Sequence, residues 1–332
     1  MRSPAPAAAH AEVEVPCNLC GARDAALRFA ASRPAGDGEP DWRAFRCTHD
    51  GYGIHPPIVA CRRCGLIYAN PRPPAALLAE RYAAVEDPLY VAERRGRELT
   101  FRRHLRALER VVGPAAGRRL LDVGAHVGVF VEQASAAGWR AEGLEPSAWC
   151  VAEARRRGLR LTPGTLEQAS LPPRSFDALT LWDVIEHLDD PLGALRRCRE
   201  LLVPGGWIAV HTMDAGSLFA RLMGRRWPWL MDMHLYYFTR RTLRAMLERA
   251  GFGDVRILTQ GRYLRLSYLA TRLRPYSPLL AALSARLLAA TGLAGLAVPV
   301  SFGDLMTAYA RRLPRADDDG VEAGRDGGAN GA

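Results

Sequence analysis

The sequence predicts an α/β fold, in which helices cover both faces of a doubly wound, mostly parallel sheet of seven strands. Strand-like and helix-like segments alternate from about residue 115, beginning with "RRLLDVG" and "VFVEQASAAG" and reaching "GWIAVHT". Repeated strand–helix units need crossover connections, which make neighbouring strands parallel. Two later segments, "DVRILT" and "DLMTAYARR", predict a sixth and a final strand. Ligands of such sheets bind at the carboxyl ends of the strands.

The composition is that of a globular protein with mobile ends. Of 332 residues, 48% are hydrophobic and 24% are charged, close to the averages for soluble domains. Residues 1–15 and 316–332 are rich in Ala, Gly, Pro and acids, which predicts disordered termini. The net charge is +10, and all 45 basic residues are scattered arginines. Because they lack the aromatic interleaving of single-strand binders, they argue against a nucleic-acid partner.

The cysteines indicate a metal-binding module at residues 16–70. They form two pairs, "CNLCG" and "CRRCG", which contain Cys17, Cys20, Cys61 and Cys64. Four thiolates form the closed tetrahedral ligand set of structural zinc, as in zinc ribbons and knuckles. The pairs are 40 residues apart, more than the usual ~15–20, so "RPAGDGEPDW" is an insertion. The N-terminus lacks the apolar core of a secretory signal, and we therefore expect a cytoplasmic protein with reduced thiols.

Two later parts of the chain differ in pattern. Residues 71–114 repeat Leu and Val every three or four positions, which predicts a helical arm over one side of the site. The main domain spans 115–315. The fourth strand ends in "LTLWD", and Pro204-Gly205-Gly206 predicts a turn into the fifth.

A turn containing two glycines follows the first strand of the main domain. In "LLDVGAHVGVF" the strand ends at Asp122, and Gly124 and Gly128 shape the turn into a helix with free N-terminal amides. The turn does not read G-x-G-x-x-G, so alone it is weak evidence for a dinucleotide. Glu145 ends the second strand in "GLEPS", where a carboxylate can accept both hydroxyls of a ribose. Turn and acid together predict an adenosine-containing ligand.

Four ordered segments resemble class I S-adenosylmethionine-dependent methyltransferases of the methyltransferase domain family 23 type. They are "LLDVGAHVGVF", "GLEPS", "SFDALTLWDVIEHLDDP" and "LLVPGGWIAVHT", within about residues 115–258. The resemblance implies a Rossmann-like methyltransferase sheet of seven strands and S-adenosylmethionine as cofactor. It implies these cofactor-binding residues: Asp122, Gly124, Ala125, His126, Gly128, Glu145, Pro146, Thr165, Leu166, Trp182 and Asp183. His126 replaces the usual middle glycine, and we expect its imidazole to point outward.

Two histidines are candidates for the catalytic base, which must deprotonate the nucleophile while the enzyme aligns it with the methyl group. His187 follows the fourth strand in "DVIEHLDDP", and His234 lies in "WPWLMDMHLYYFT". The second segment, with the four-cysteine module, is distantly similar to sugar C-methyltransferases, whose base lies in an "EHxxYF" context. The resemblance implies catalytic roles for His234 and Tyr237, although Met233 replaces the acidic neighbour. A buried, hydrogen-bonded histidine is the alternative for His234, and a structural or substrate-binding role is the alternative for His187.

Residues 262–300 form an apolar, helical insertion. Arg286 is the only charge between 279 and 300, but it, two glycines and a proline argue against a membrane-spanning helix. One alternative is peripheral membrane contact by a helical hairpin that is anchored by Arg262, Arg265, Arg272 and Arg274. A helical cap and a homodimer surface are the others.

The sequence therefore predicts a methyltransferase for a small-molecule acceptor, such as a sugar, a glycoconjugate or a secondary-metabolite precursor. A lipid-linked or quinone-like acceptor at the membrane surface, and a non-catalytic scaffold protein, remain alternatives.

Overall fold

The computed structural model describes residues 12–32, 45–49, 51–274 and 276–314. The loop "RPAGDGEPDW" and the tail predicted to be disordered, 316–332, lie outside these ranges. Residues 12–15 belong to the predicted disordered N-terminus, but here the prediction is wrong. Val13 and Arg72 exchange two backbone hydrogen bonds of 2.8 and 3.1 Å, and the Val15 amide donates to the side chain of Asn70.

The cysteine-containing segment forms a small antiparallel sheet. Its strands are β1 (Ala25–Phe29), β2 (Ile58–Cys61), β3 (Ile67–Ala69) and, from much later in the chain, β9 (Tyr236–Tyr237), in the order β1–β2–β3–β9. Gly21 and Gly65 follow the cysteine pairs with φ of 74° and 79°. This left-handed conformation favours glycine and folds the chain back over the sulfurs.

Three helices follow: α1 (Ala75–Ala83), α2 (Pro88–Ala92) and α3 (Arg94–Val112). Asp87 caps α2 by accepting from the Tyr90 amide at 3.1 Å, and Pro88 occupies the first helical position, where its missing N–H costs nothing. Leu105 and Leu108 on α3 are buried beside the main sheet. The helices therefore lie against the domain rather than apart from it.

The main domain contains the seven-stranded sheet. Its strands are β4 (Arg119–Val123), β5 (Arg140–Glu145), β6 (Leu161–Pro163), β7 (Phe176–Trp182), β8 (Leu202–Met213), β10 (Phe252–Thr259) and β13 (Leu305–Arg312), in the order β10–β13–β8–β7–β4–β5–β6. Of these seven strands, β13 alone runs opposite to the other six. The predicted fold class is confirmed. The strand order reverses at β4, so the turn after β4 lies at the switch point where such sheets bind ligands.

The main-domain helices are α4 (Val129–Ala136), α5 (Ala148–Arg155), α6 (Pro191–Leu201), α7 (Leu218–Met223) and α8 (Arg240–Arg249). Four of them begin with a side chain that accepts a hydrogen bond from a backbone amide: Ser147, Asp190, Ser217 and Thr239. Such caps satisfy amides that the first helical turn leaves free. They fix where each helix leaves the sheet edge.

The prediction that Pro204-Gly205-Gly206 forms a turn before the strand is wrong, because β8 already begins at Leu202. Gly205 has a φ of 74°, and the pairing of β7 with β8 shifts register between Phe176 and Ala178. The glycines thus form an irregularity inside the strand rather than a loop before it.

The insertion is built on a two-stranded antiparallel sheet, β11 (Arg262–Arg265) with β12 (Ala297–Val300), which encloses α9 (Leu266–Arg272) and α10 (Pro278–Ala290). Three of the four arginines predicted to anchor it to a membrane face the protein instead. Arg262 pairs with Asp183, Arg265 pairs with Glu93, and Arg272 donates to backbone carbonyls of Thr48 and His49. Among the described residues, no helix has the length and apolar character needed to cross a membrane.

Candidate active site

The turn after β4 requires its glycines. Gly124 and Gly128 have φ of 70° and 75°. A β-carbon at Gly124 would lie 2.6 Å from Val184 Cγ2, and one at Gly128 would lie 2.7 Å from Leu159 Cδ1. Asp122 is buried before the turn and accepts from the Thr180 hydroxyl at 2.7 Å. Burial raises the pKa of Asp122 to about 8, although the Thr180 bond opposes the shift.

Glu145 lies across from this turn at the end of β5. Its carboxylate accepts from the backbone amides of His126 at 2.8 Å and Ser147 at 2.9 Å. Burial raises the pKa of Glu145 to about 7, and the two amides limit the rise. Each carboxylate oxygen has two lone pairs, so the oriented carboxylate retains acceptor capacity for hydroxyl donors. The sequence placed this acid correctly at a strand end.

His126 does not point outward, contrary to expectation. Its side chain is 8% exposed, and its ring stacks on Tyr90 of α2 at a centroid distance of 3.8 Å. The guanidinium of Arg97 covers the same tyrosine ring at 4.2 Å. Burial lowers the pKa of His126 to about 4, so the imidazole is neutral near pH 7. The residue that replaces glycine therefore packs the turn against the helical arm, and its φ of 50° shows that the backbone keeps a left-handed conformation.

The remaining predicted cofactor residues lie along the same edge. Ala125 is buried in the turn, and Pro146 is partly exposed directly after Glu145. Thr165 and Leu166 follow β6, where Thr165 donates its amide to Gln168 and Leu166 packs into the main core. The buried side chain of Leu166 thus anchors the loop after β6 to the hydrophobic core.

The end of β7 carries a charged cluster. Trp182 packs against Phe130 at a centroid distance of 5.0 Å, and Asp183 follows in a left-handed conformation with φ of 54°. Arg262 from the insertion lies 3.3 and 3.4 Å from the two Asp183 oxygens, and its guanidinium lies 5.1 Å from the Trp229 ring centroid. Burial would raise the pKa of Asp183, but the charge of Arg262 and the neighbouring imidazoles lower it to about 2. Sequence reasoning missed this role of Arg262.

His187 and His234, the two candidates for the base, lie next to each other. Their ring centroids are 4.8 Å apart. Nδ1 of His187 lies 2.9 Å from the Met233 carbonyl oxygen, and Nδ1 of His234 lies 2.7 Å from that of Trp229. Because a carbonyl can only accept, each Nδ1 carries the proton and each Nε2 keeps a lone pair. Burial lowers the pKa of both histidines, to about 3 for His234.

Two further residues complete this cluster. Tyr82 of α1 places its hydroxyl 2.9 Å from His187 Nδ1. Glu186 is buried, and one donor atom each of Glu186, His187 and His234 lies within 4.8 Å of the others. Burial, followed by the charge of Asp183, raises the pKa of Glu186 to about 8. Periodicity marks Tyr82 only as a helix residue, so no sequence signal pointed to it.

The predicted catalytic residue Tyr237 occupies a structural position. It is buried in β9, where it pairs with Ile67, and its hydroxyl donates to the Met231 carbonyl at 3.3 Å. This bond stabilises the bend that carries His234. The tyrosine that bonds to the histidine pair is Tyr82 instead.

The four predicted metal ligands also come together. The sulfurs of Cys17 and Cys64 are 3.4 Å apart, those of Cys20 and Cys61 are 3.6 Å apart, and all four lie within 4.8 Å of one another. A zinc tetrahedron with Zn–S bonds of about 2.3 Å has edges of about 3.8 Å. Burial would raise the pKa of Cys61, but the amides of Cys64 and Arg63 lower it to about 7. The donor set fits a four-coordinate zinc ion without an open position.

Comparison with known proteins places these features in context. A family model described as "Methyltransferase domain" matches residues 91–257. The ubiquinone biosynthesis O-methyltransferase of Bordetella bronchiseptica is 30% identical over 115 residues, which cover 32% of this chain and 47% of that protein. The protein of the same name from Vibrio cholerae is 32% identical over 105 residues, which cover 30% of this chain and 43% of that protein. The chain thus spans about half the length of the curated relatives it matches. A solved structure of an S-adenosylmethionine-dependent methyltransferase from Archaeoglobus fulgidus is 19% identical with a TM-score of 0.46, covering 68% of this chain and 100% of that one.

Proposed function

This chain belongs to the methyltransferase domain family, and from that premise we propose that it methylates a small-molecule acceptor bound at the His187–His234 pair. It is an S-adenosylmethionine-dependent methyltransferase. The observation that carries the proposal about the acceptor site is the fixed pair of imidazoles, whose Nδ1–H groups donate to carbonyls. Each Nε2 atom keeps a lone pair. Two such lone pairs beside the end of β7 are positioned to accept a proton from an acceptor bound there.

We assign the cofactor's ribose to Glu145 and its methionine end to the turn from Asp122 to Gly128. The oriented, buried carboxylate of Glu145 supports this assignment, because it can accept two hydroxyl hydrogen bonds. When bound, the cofactor supplies an already activated methyl group. The protein's own contribution is then to orient both reactants and to remove a proton from the acceptor.

Removal of that proton is assigned to the histidine pair, with His234 as the principal residue. Its neutral imidazole is held by the Trp229 carbonyl. The Tyr82 hydroxyl contacts the same Nδ1 atom of the neighbouring His187 that donates to the Met233 carbonyl. Nucleophile activation by a positioned side chain contributes ~100- to 10,000-fold to rates of this kind.

A hydroxylated acceptor, such as a sugar or glycoconjugate precursor, is the first candidate. Charged, hydroxyl and aromatic groups surround the pair: Asp183, Arg262, Tyr82 and Trp229. A few oriented polar groups beside aromatic faces are typical of sites that bind small polar molecules.

A lipid-linked or quinone-like acceptor is the second candidate, and a specific observation favours it. Helix α10 has no buried residue, and Leu279 and Leu287 are 71% and 65% exposed. An exposed apolar helix with arginine as its only charge suits contact with a membrane surface. The matched relatives are named ubiquinone biosynthesis O-methyltransferases.

We also propose that one structural zinc ion occupies the four-cysteine site. The sulfur spacing and the amides that point at Cys61 support it. The ion would hold the small sheet, and through β9 it would hold the segment that carries His234.

The test of the function is a labelled-methyl transfer assay with two sets of acceptors. Nucleotide-linked keto- and deoxysugars form one set, and polyprenylated phenols in anionic vesicles form the other. Transfer to a member of the first set supports the sugar proposal, whereas transfer to the second set alone would replace it with the lipid-linked one. Tight binding of S-adenosylhomocysteine without transfer to any acceptor would point to a scaffold protein.

A further inference from the structure

We propose that Glu186, His187 and His234 together bind a divalent cation. A donor atom of each residue lies within 4.8 Å of the other two. Two imidazoles and one carboxylate are a ligand set used for Zn²⁺, Fe²⁺, Mn²⁺ and Co²⁺ in proteins, and three protein ligands leave coordination positions for a substrate oxygen. This site is separate in residues and chemistry from the four-cysteine site, which has four soft ligands.

The histidines have the secondary contacts of metal ligands. Metal-binding histidines almost always donate their second ring N–H to a carbonyl or carboxylate, which fixes the tautomer and the ring orientation. His187 donates to the Met233 carbonyl and His234 donates to the Trp229 carbonyl, at 2.9 and 2.7 Å. Both carbonyls belong to the same short segment before β9. The nitrogen that remains on each ring is a lone-pair donor.

One oxygen of the Glu186 carboxyl group lacks a partner that a cation would provide, although Thr212 hydrogen-bonds to the group. Glu186 is 1% exposed, and its Oε2 atom has no hydrogen-bond partner among the described residues. A buried polar atom without a partner is costly, and a buried charge more so. The backbone of Glu186 is held in place, because its carbonyl accepts from the Leu235 amide at 2.8 Å. The backbone that carries this side chain is therefore fixed, and burial keeps the carboxyl group out of contact with bulk solvent.

The surrounding charges are compatible with a cation. Asp183 adds a second carboxylate near the cluster, and its charge acts on Glu186, His187 and His234. Arg262 is the opposing charge, but it is engaged with both Asp183 oxygens and with the Trp229 ring. Tyr82 faces the cluster as a neutral hydroxyl.

A bound cation would explain how the site activates the acceptor, and this step rests on the proposed function. A divalent ion lowers the pKa of an oxygen that it binds. With the imidazoles as ligands, the ion would lower the pKa of the acceptor's hydroxyl group, and the released proton would pass to a solvent water molecule instead of to His234. An acceptor with two adjacent oxygens, as in a vicinal diol, a hydroxyketone or a catechol, could fill two open positions at once.

Manganese binding to the full-length protein tests the inference without acceptor or cofactor. Mn²⁺ is suited to nitrogen and oxygen ligands and poorly suited to the four-thiolate site. We expect one Mn²⁺ per chain by titration of the free-ion electron paramagnetic resonance signal. We expect affinity to fall at least about tenfold in Glu186→Gln and in His234→Ala. Glu248→Gln is the matched control, because Glu248 is exposed on α8, and it should bind as the wild type does.

Two outcomes would overturn the proposal that a cation binds at Glu186, His187 and His234. One is the absence of Mn²⁺, Co²⁺ and Zn²⁺ binding beyond the thiolate site in the wild type, a result that does not depend on whether a variant folds. The other is unchanged Mn²⁺ affinity in both variants, with circular dichroism showing that they are folded; His234 would then act as a direct base. Calorimetry with S-adenosylhomocysteine on the same samples separates the two proposals. Mn²⁺ binding without adenosylhomocysteine binding would support the cation and reject the proposed function.

Discussion

Replacing Glu145 with glutamine tests the cofactor assignment most directly. The substitution keeps the side-chain length but removes the charge and converts one acceptor oxygen into a donor. In the folded protein the carboxylate already accepts from the amides of His126 and Ser147. The oxygen of a glutamine side chain can accept a hydrogen bond from one of these two backbone N–H groups. Its NH₂ group is itself a donor and cannot accept from the other N–H group. The ribose hydroxyls would therefore lose at least one charged acceptor.

The magnitude follows from the bonds that are lost. A hydrogen bond to a charged group is worth about 1.5–3 kcal/mol, and about 1.4 kcal/mol corresponds to a factor of ten. Glu145→Gln should therefore weaken S-adenosylhomocysteine binding by about 10- to 150-fold. The wild type should also depend on pH. Its Glu145 pKa is raised by burial to about 7, so lowering the pH from 8 to 6 protonates the group and should reduce affinity by up to about tenfold.

Isothermal titration calorimetry at several pH values measures both effects. Glu142→Gln is the matched control, because Glu142 lies on the same strand but pairs with Arg119 at 2.8 Å, away from the turn. The control should bind with wild-type affinity and wild-type pH dependence, and Glu145→Gln should lose most of that dependence. Affinity of Glu145→Gln within about twofold of the wild type at pH 8 would refute the assignment of the ribose to this carboxylate.

Three further variants test the rest of the site. His234→Ala should reduce turnover by at least about 100-fold while leaving adenosylhomocysteine affinity within about twofold; full activity in a steady-state assay would return His234 to a structural role. Arg262→Ala removes the partner of Asp183. Since the pair is partly exposed, urea denaturation should show that the free energy of unfolding falls by only about 1 kcal/mol, whereas kcat should fall more strongly. An unchanged kcat would show that the ion pair does not shape the site. Cys61→Ser should remove one zinc per chain by elemental analysis, and an unchanged zinc content would rule out the four-cysteine assignment.

The sequence predicted features that are encoded locally. Buried strands followed by helices leave a regular pattern, and the ends of those strands carry Asp122 and Glu145. Because the carboxyl ends of parallel strands share one edge, their proximity followed from the order of the segments. The hydrogen bond from the His126 amide to the Glu145 carboxylate agrees with that reasoning, as does the left-handed backbone of Gly124 and Gly128.

Contacts between distant parts of the chain could not be predicted in this way. Tyr82 reaches His187 across 105 positions, and Arg262 reaches Asp183 across 79. Neither residue stands out in its own segment, because a helix-face tyrosine and an arginine in an apolar insertion have ordinary local explanations. The predicted outward orientation of His126 was wrong for the same reason, because the ring position depends on stacking with Tyr90 of α2.

The small cysteine sheet is hydrogen-bonded to the segment that carries His234. Its last strand, β9, comes from the main domain and pairs with β3. The Ala69 amide also donates to the Leu235 carbonyl at 2.8 Å, directly beside His234. Arg241 at the start of α8 donates to the Cys64 carbonyl at 3.0 Å. Because β3 and the His234 segment form one continuous hydrogen-bonded structure, loss of the proposed zinc ion from the cysteines should disorder the proposed acceptor site before it affects the turn from Asp122 to Gly128.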